Sequence, residues 1–147
     1  YHKKEMQSMV RRGYLQVLDS GKIRLFKSYN PNYGDGDQER DFLYVKDAVE
    51  MTLFFLDNSS IGGIFNAGTG VARTWNDLSK AVFKAMNREF AVEYIDMPVA
   101  IRDQFQYRTC AKIDKIRNVG YSKPITSLEE AITDYIQNYL YSNKRLS

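Results

Sequence analysis

Residues that could do chemistry occur at three places, and the first is the glycine pair at residues 68–70 (Gly-Thr-Gly). Glycines let backbone N–H groups come close to an anion, so this spacing suits a phosphate-binding loop. The dinucleotide fingerprint also needs a third glycine and an acidic residue at the end of the next strand, and this sequence has neither. A tight turn between a strand and a helix starting near Thr74 is therefore the favoured interpretation.

Arg40 is the second candidate, because a guanidinium presents a planar fork of donors that matches a phosphate. It opens the sequence R-D-F-x-Y-V-x-D at residues 40–47. A surface ion pair with Asp41 or Asp47, which would contribute little to stability, is an equally good interpretation. Local chemistry alone leaves both interpretations open.

Lys3 is the third candidate, since its neighbours His2 and Lys4 would favour the neutral amine and so suit it to proton transfer. A cationic run near a chain end is more often simply solvated. Aromatic side chains could also form a platform for a base or a sugar, although aromatics more often pack in a core or an interface. These side chains are Phe26, Tyr29, Phe105 and Tyr107, with Arg40 or Arg108 nearby.

Composition narrows the class of protein. The chain has 147 residues, of which 44% are hydrophobic, which is room for one domain with a modest core. Its 21 basic and 18 acidic residues are interspersed, and a net charge of +3 suits a small anionic ligand better than a nucleic acid. A single cysteine and a single histidine exclude an internal disulfide and a multi-histidine metal centre, and favour a reducing, cytoplasmic location. No apolar run approaches the roughly 20 residues that span a bilayer, so no membrane partner is expected.

The elements that must position these residues alternate between helix and strand. Five helices are expected. The first runs from Met6 to residues 19–21, the second is capped by Asp47, and the fourth covers residues 109–118. The third and the fifth begin at capping boxes, at residues 74–77 and 126–129. The expected strands cover residues 22–27, 40–45, 61–66 and 93–97. Residues 29–39 are expected to form a long loop that is functional or mobile. The order indicates an α/β fold whose strands are too few and too short for a complete doubly wound sheet.

The motifs also come in a recognisable order. R-D-F-x-Y-V-x-D at residues 40–47 and F-N-x-G-T-G at residues 65–70 are similar to motifs of the extended short-chain dehydrogenases/reductases. The Tyr-His-Lys start, the Phe-Gln pair at residues 105–106 and G-Y-x-K-P at residues 120–124 are similar to those of one group among them. Over nearly its whole length the chain resembles the ADP-L-glycero-D-manno-heptose 6-epimerase family.

This resemblance implies the fold and the reaction. The family has an NADP-binding Rossmann portion and a smaller C-terminal portion that binds an ADP-sugar. Its members interconvert the two C6 epimers of ADP-heptose for the lipopolysaccharide core, by transient oxidation at C6 and reduction on the other face. The expected architecture is thus the C-terminal substrate-binding part of an extended short-chain dehydrogenase/reductase, a Rossmann-type α/β fold with short strands and about five helices.

The resemblance also implies a role for each matching residue. Lys3 would be the second acid/base group and would lie beside the cofactor, and Arg40 would bind the diphosphate. Phe105 stands where the family commonly has a tyrosine, and Arg12 stands where it has a histidine. The implied substrate-binding residues are Arg12, Phe26, Lys27, Ser28, Tyr29, Arg40 and Phe105.

Two departures from the family pattern shape the expectations. Nothing in the sequence resembles the glycine-rich cofactor loop or the Y-x-x-x-K catalytic pair, and the chain begins at Tyr1 rather than at a methionine. We therefore expect residues 1–147 to be a fragment without the Rossmann portion, inactive alone, weak in binding NADP and prone to associate. The family tends to form homo-oligomers. Another nucleotide-sugar epimerase or dehydratase, or a stand-alone nucleotide-binding module, is the alternative.

Overall fold

Short helices and strands alternate along residues 7–141, the part of the chain that the computed structural model describes. They are α1 (Met9–Ser20), β1 (Ile23–Phe26), β2 (Glu39–Asp41), α2 (Val45–Asp57), β3 (Ala72–Thr74), α3 (Trp75–Ala85), β4 (Val92–Ile95), α4 (Val99–Arg102), α5 (Asp114–Asn118) and α6 (Leu128–Tyr135). A π-helical segment, Ile136–Leu140, continues α6. The α/β class and the short strands are as predicted, with six α-helices in this part of the chain where about five were expected.

The main core lies where α3 packs against α1 and α6 beside the parallel pair β1–β4. Alternation along β1 buries Ile23 and Leu25 and leaves Arg24 exposed, as the period of two in a strand requires. Gly13 allows α1 to approach β1 closely, since a Cβ atom at this position would lie 3.2 Å from Cδ1 of Ile23. Gly21 ends α1 in the left-handed conformation, which confirms the turn predicted there.

A smaller apolar cluster joins α2 to α5 and to the chain that follows it. Its fully buried members are Met51, Ile116 and Tyr121. Asp47, in the first turn of α2, is buried and accepts hydrogen bonds from the N–H (2.9 Å) and the hydroxyl (2.8 Å) of Thr126. The N-cap of α2 is Tyr44, so the prediction that Asp47 caps this helix is wrong. Its carboxylate instead ties the start of α2 to the start of α6.

Capping boxes start two helices, one where the sequence predicts it and one displaced by a residue. Thr74 and Asp77 satisfy each other's backbone N–H groups at the start of α3, as predicted. At α6 the reciprocal pair is Ser127 and Glu130, so the box predicted at residues 126–129 is wrong by one position. The physical reason is that the N–H of Thr126, which Glu129 would have to bind, already donates to Asp47, while the Glu129 carboxylate accepts from Arg73.

The strand pairing differs most from the prediction. β2 is only Glu39–Asp41 and pairs antiparallel with β3, whose Ala-Arg-Thr sequence has no apolar alternation to reveal it. The strand predicted at residues 61–66 is wrong, because this segment forms no ladder and leaves Ile64 89% exposed. A strand needs a neighbour that satisfies its backbone groups, and no segment among residues 7–141 pairs with this one.

Residues 99–118 contain two short helices. α4 ends at Arg102, in a stretch where the sequence predicts neither helix nor strand, and α5 begins at Asp114 rather than at residue 109. Residues 7–141 contain no helix with the length and apolar character needed to cross a membrane.

Candidate functional site

The carboxyl ends of the parallel strands β1 and β4 open onto a cavity of about 190 Å³. Phe26 and Ile95, the last residues of the two strands, both line it. The crevice beyond the carboxyl ends of parallel strands is the usual ligand site of open α/β sheets. The remaining charged, polar and aromatic residues that line the cavity are Arg12, Gln16, Arg24, Gln38, Trp75 and Phe105. Aromatic walls with arginines suit a flat ligand that carries negative charge.

A larger groove, of about 530 Å³, runs between α1, α6 and the start of α2. Apolar side chains such as Met9, Phe42 and Leu128 form most of its wall, and no described lysine or arginine lines it. Size alone would favour this groove. We place the candidate site in the smaller cavity because it has cationic groups and aromatic rings together.

Arg40 lies at the edge of the smaller cavity, stacked on two of the rings that form its wall. Its guanidinium carbon is 5.2 Å from the centre of the Phe105 ring and 6.0 Å from that of Trp75. Nη1 donates to the carbonyl of Glu39 at 2.7 Å, while Nε and Nη2 donate to no described residue. Burial lowers the pKa of this guanidinium from its ordinary value. The stacking holds the arginine in place with two donors still available for an anion.

The surface ion pair proposed for Arg40 is wrong, because the structure uses both carboxylates elsewhere. Asp47 is bonded to Thr126, as described above. Asp41 accepts hydrogen bonds from the backbone N–H groups of Thr69 (2.8 Å), Gly70 (3.0 Å) and Ala111 (3.0 Å), and from the Thr69 hydroxyl (2.7 Å). Burial raises the pKa of Asp41, but these hydrogen bonds outweigh it and bring the pKa below its usual value.

The same bonds decide between the two interpretations of residues 68–70. The amides that a phosphate would need already donate to the carboxylate of Asp41. A Cβ atom on Gly68 would lie 2.3 Å from Cβ of Ala111, so this glycine serves close packing. The segment is the turn that the sequence favours. It gives a dinucleotide no cradle at residues 68–70.

Aromatic rings form a continuous row from the cavity to the long loop. Ring centres are 6.4 Å apart for Phe26 and Phe105, 5.4 Å for Phe105 and Tyr107, and 5.2 Å for Tyr107 and Tyr33. The first two pairs meet edge to face, which is a favourable geometry for aromatic contacts. Phe26 and Phe105, named from the sequence as parts of a platform, are thus brought together in the wall of the cavity.

Residues 27–29 lie beside this cavity but do not line it. Lys27 pairs with Asp96 (3.1 Å), and that hydrogen bond raises the pKa of the ammonium. The Tyr29 hydroxyl donates to Asp96 (3.1 Å) and accepts from Arg102 (2.9 Å), whose guanidinium carbon lies 3.8 Å from the centre of the Tyr29 ring. The hydroxyl of Ser28 donates to the carbonyl of residue 30 at 2.9 Å. These side chains fasten the chain that leaves β1.

The long loop at residues 29–39 is anchored at several points. The Asp35 carboxylate accepts from the N–H of Ser28 (2.7 Å), and the Asn76 amide donates to the carboxylate of Asp37 (2.8 Å). Tyr107 accepts from the N–H of Tyr29 at 3.0 Å. These contacts favour a positioning role for the loop over a mobile one.

Sequence reasoning found part of the cavity and missed part of it. Arg12, Phe26 and Phe105 line it and Arg40 stacks on its wall, whereas Lys3 lies outside the described residues. Arg24, Gln38 and Trp75 were missed. Arg24 could have been found as the exposed cation of an otherwise buried strand, but Gln38 looks like one more polar loop residue.

Comparison with known proteins agrees with the motifs. The family model described as the NAD dependent epimerase/dehydratase family matches residues 1–68. The ADP-L-glycero-D-manno-heptose-6-epimerase of Nitratidesulfovibrio vulgaris strain DP4 is 49% identical over 140 residues, which are 95% of this chain and 43% of the relative. The Fusobacterium nucleatum enzyme of the same name is 46% identical over 146 residues, covering 95% and 44%. The chain thus spans less than half the length of these relatives.

Solved structures show the fold. A UDP-N-acetylglucosamine 4-epimerase from Methanobrevibacter ruminantium superimposes with a TM-score of 0.77 at 17% identity, covering 98% of this chain and 42% of that one. The chain has the fold of part of an extended short-chain dehydrogenase/reductase. The Helicobacter pylori ADP-L-glycero-D-manno-heptose-6-epimerase shares this short-chain dehydrogenase/reductase fold at 26% identity and a TM-score of 0.72, covering 93% and 38%. The resemblance stated from the motifs is therefore confirmed.

Residues 7–141 contain no group of three or more His, Cys, Asp or Glu side chains placed to hold a metal ion. Arginine, glutamine and aromatic side chains give the cavity its chemical character.

Proposed function

We propose that this chain is the substrate-binding portion of an ADP-L-glycero-D-manno-heptose 6-epimerase, an NADP-dependent isomerase that inverts C6 of ADP-heptose for the lipopolysaccharide core. One observation carries the proposal. Arg12, Phe26 and Phe105, three of the positions that the resemblance assigns to the ADP-sugar, line one cavity with Arg40 stacked on its wall. The high identity to enzymes of that name supports it.

Each of these residues contacts the part of the ligand that matches its chemistry. The fork of Arg40 binds the diphosphate, since its free donors match phosphate oxygens in pairs. The rings of Phe26 and Phe105, which meet edge to face in the cavity wall, provide the aromatic surface for the flat nucleobase. Arg12 adds a cation on the side of α1, and residues 27–29 position the chain that leaves β1. Lys3 is the acid/base group in this proposal.

NADP is the proposed cofactor, held mainly by the further length that the curated relatives have and this chain does not. Two observations support a missing neighbour. One face of α2 is apolar and exposed, with Val45 61%, Val49 50%, Leu53 42% and Leu56 72% exposed. Residues 61–66, predicted as a strand, run beside no partner strand among the described residues. We propose that a Rossmann portion covers both, in a cytoplasmic homo-oligomer, and that this chain alone is inactive.

Calorimetric titration of the chain with ADP, UDP and dTDP tests the proposal. We expect ADP to bind with a dissociation constant at least ten times lower than those of the pyrimidine nucleotides. Equal binding of UDP or dTDP would instead favour another nucleotide-sugar epimerase or dehydratase, whose fold this chain shares. Epimerisation of ADP-heptose by this chain alone would contradict its proposed inactivity.

A further inference from the structure

Gln38 is the one residue lining the cavity whose side chain is buried, polar and only half used. It is 1% exposed. Its Nε2 lies 3.4 Å from the carbonyl oxygen of Phe26 and 3.4 Å from that of Lys27, at the end of β1. Because both neighbours are acceptors, the nitrogen of the amide must face them, which fixes its orientation.

The other half of this amide is an acceptor without a donor. Oε1 of Gln38 accepts a hydrogen bond from no described residue, and the side chain lies in the wall of the cavity, so this oxygen remains available to a donor placed there. A second glutamine of the cavity shows the contrast, since Oε1 of Gln16 accepts from the N–H of Arg24 at 3.0 Å. Gln38 thus has an acceptor that a ligand can use, whereas that of Gln16 is already occupied.

The depth of Gln38 indicates which part of a nucleotide would supply that donor. Arg12 and Arg24 are exposed at the rim, whereas Phe26, Trp75 and Phe105 are half-buried and Gln38 is fully buried. A nucleotide whose diphosphate is bound by Arg40, with Arg12 and Arg24 as further cations, puts its base among the rings and the edge of its base at Gln38. Adenine carries an exocyclic amine, a donor, on that edge, whereas uracil and hypoxanthine carry an oxo group there.

We infer that Oε1 of Gln38 accepts a hydrogen bond from the exocyclic amine of adenine, and so selects an adenine nucleotide over one with an oxo group in that place. The inference rests on the proposed function, because it places a nucleotide in this cavity. It makes Gln38 a specificity-determining residue, in which the nitrogen and the oxygen of the side-chain amide have separate roles. The nitrogen holds the end of β1 and the oxygen contacts the base.

The test compares ADP with purine riboside 5′-diphosphate, which lacks only the exocyclic amine, by titration calorimetry on this chain. We expect ADP to bind about 5- to 10-fold more tightly, the ratio that one hydrogen bond to a buried acceptor gives. In Gln38→Leu the two nucleotides should bind equally. The control Gln104→Leu, at an exposed position that does not line the cavity, should keep the ratio of the unchanged chain.

The outcomes separate this inference from the proposed function. Equal binding of the two nucleotides by the unchanged chain overturns the role of Gln38, while ADP binding still supports the proposed site. A ratio that persists in Gln38→Leu also overturns it. Gln38→Met is a second variant without the acceptor, and should Gln38→Leu fail to fold, its ratio decides. If neither ADP nor purine riboside 5′-diphosphate binds, both proposals are overturned.

Discussion

The guanidinium carbon of Arg40 lies 5.2 Å from the centre of the Phe105 ring. Arg40 is the middle residue of β2 and Phe105 lies in the irregular chain after α4, so their contact brings two distant segments together at one wall of the cavity. The contact also restricts the motion of the Arg40 guanidinium, the group that we propose binds the diphosphate. Affinity for a diphosphate should therefore depend on the shape of Arg40 as well as on its charge.

Arg40→Lys is expected to lower the affinity for ADP about tenfold or more. Lysine keeps the charge but offers neither the planar fork nor the flat surface that stacks on Phe105 and Trp75. Titration calorimetry measures the change. Arg11→Lys, at an exposed position of α1 that does not line the cavity, is the matched control and should bind ADP as the unchanged chain does. Equal affinities of both variants would show that Arg40 does not bind the diphosphate.

Phe105 is expected to contribute through its ring. Phe105→Ala removes the contacts with Phe26, Tyr107 and Arg40, and should weaken ADP binding about 5- to 10-fold. Phe105→Tyr keeps the ring and adds the hydroxyl that the resemblance implies at this position, so its affinity should equal or exceed that of the unchanged chain. A loss of affinity in the tyrosine variant as large as in the alanine variant would contradict this reason.

Asp41→Ala is expected to destabilise the chain by about 3 kcal/mol. The substitution leaves the N–H groups of Thr69, Gly70 and Ala111 without their shared acceptor. Urea denaturation followed by circular dichroism gives the free energy of unfolding. Asp103→Ala removes an exposed carboxylate that has no side-chain hydrogen bond to a described residue, and should change this energy little. If the two variants have the same free energy of unfolding, the hydrogen bonds of Asp41 do not stabilise the fold.

Asp134 should make the stability sensitive to acid. Its hydrogen bond from Lys46, with those from Tyr44 and Asn138, lowers the pKa of the carboxyl to about 2, and burial together with the same contact raises the pKa of Tyr44 to about 12. A carboxyl with a lowered pKa stabilises the fold above its unfolded pKa of about 3.9, and this contribution disappears as the pH falls towards 2.

The difference in unfolding free energy between the unchanged chain and Asp134→Asn should thus be constant from about pH 5 to pH 9 and shrink below about pH 4. Urea denaturation at a series of pH values measures it. Asp19→Asn is the control, since Asp19 is exposed on α1, and it should show no such difference. A difference that stays constant down to pH 2 would contradict the role of the Asp134 contacts.

The exposed face of α2 should make the isolated chain associate. Val49 and Leu53, one helical turn apart, are 50% and 42% exposed. Val49→Glu combined with Leu53→Glu should shift the chain towards the monomer in light scattering over a range of concentrations, because charge opposes apolar contact. Ser122→Glu, at an exposed position elsewhere, should leave the mass distribution unchanged. A monomeric unchanged chain at all concentrations would overturn the expectation.

The sequence by itself determined the elements whose signals are local. Alternation at residues 23–26 fixed β1, the Thr74–Asp77 box fixed the start of α3, and Gly21 fixed the end of α1. Each depends on residues within one turn or one strand, so periodicity and capping chemistry are enough. The motif order likewise indicated the fold and several residues of the cavity.

Only the tertiary structure decided the use of groups that find partners far along the chain. The carboxylate of Asp41 accepts hydrogen bonds from the backbone amides of the glycine turn, and that of Asp47 accepts them from Thr126, which shifts the start of α6. Residues 61–66 have no neighbouring strand among the described residues. A carboxylate or a strand edge is satisfied by whichever group lies nearest in space. That is why the sequence named Arg40 and Phe105, but only the folded chain joined them with Gln38 around one cavity.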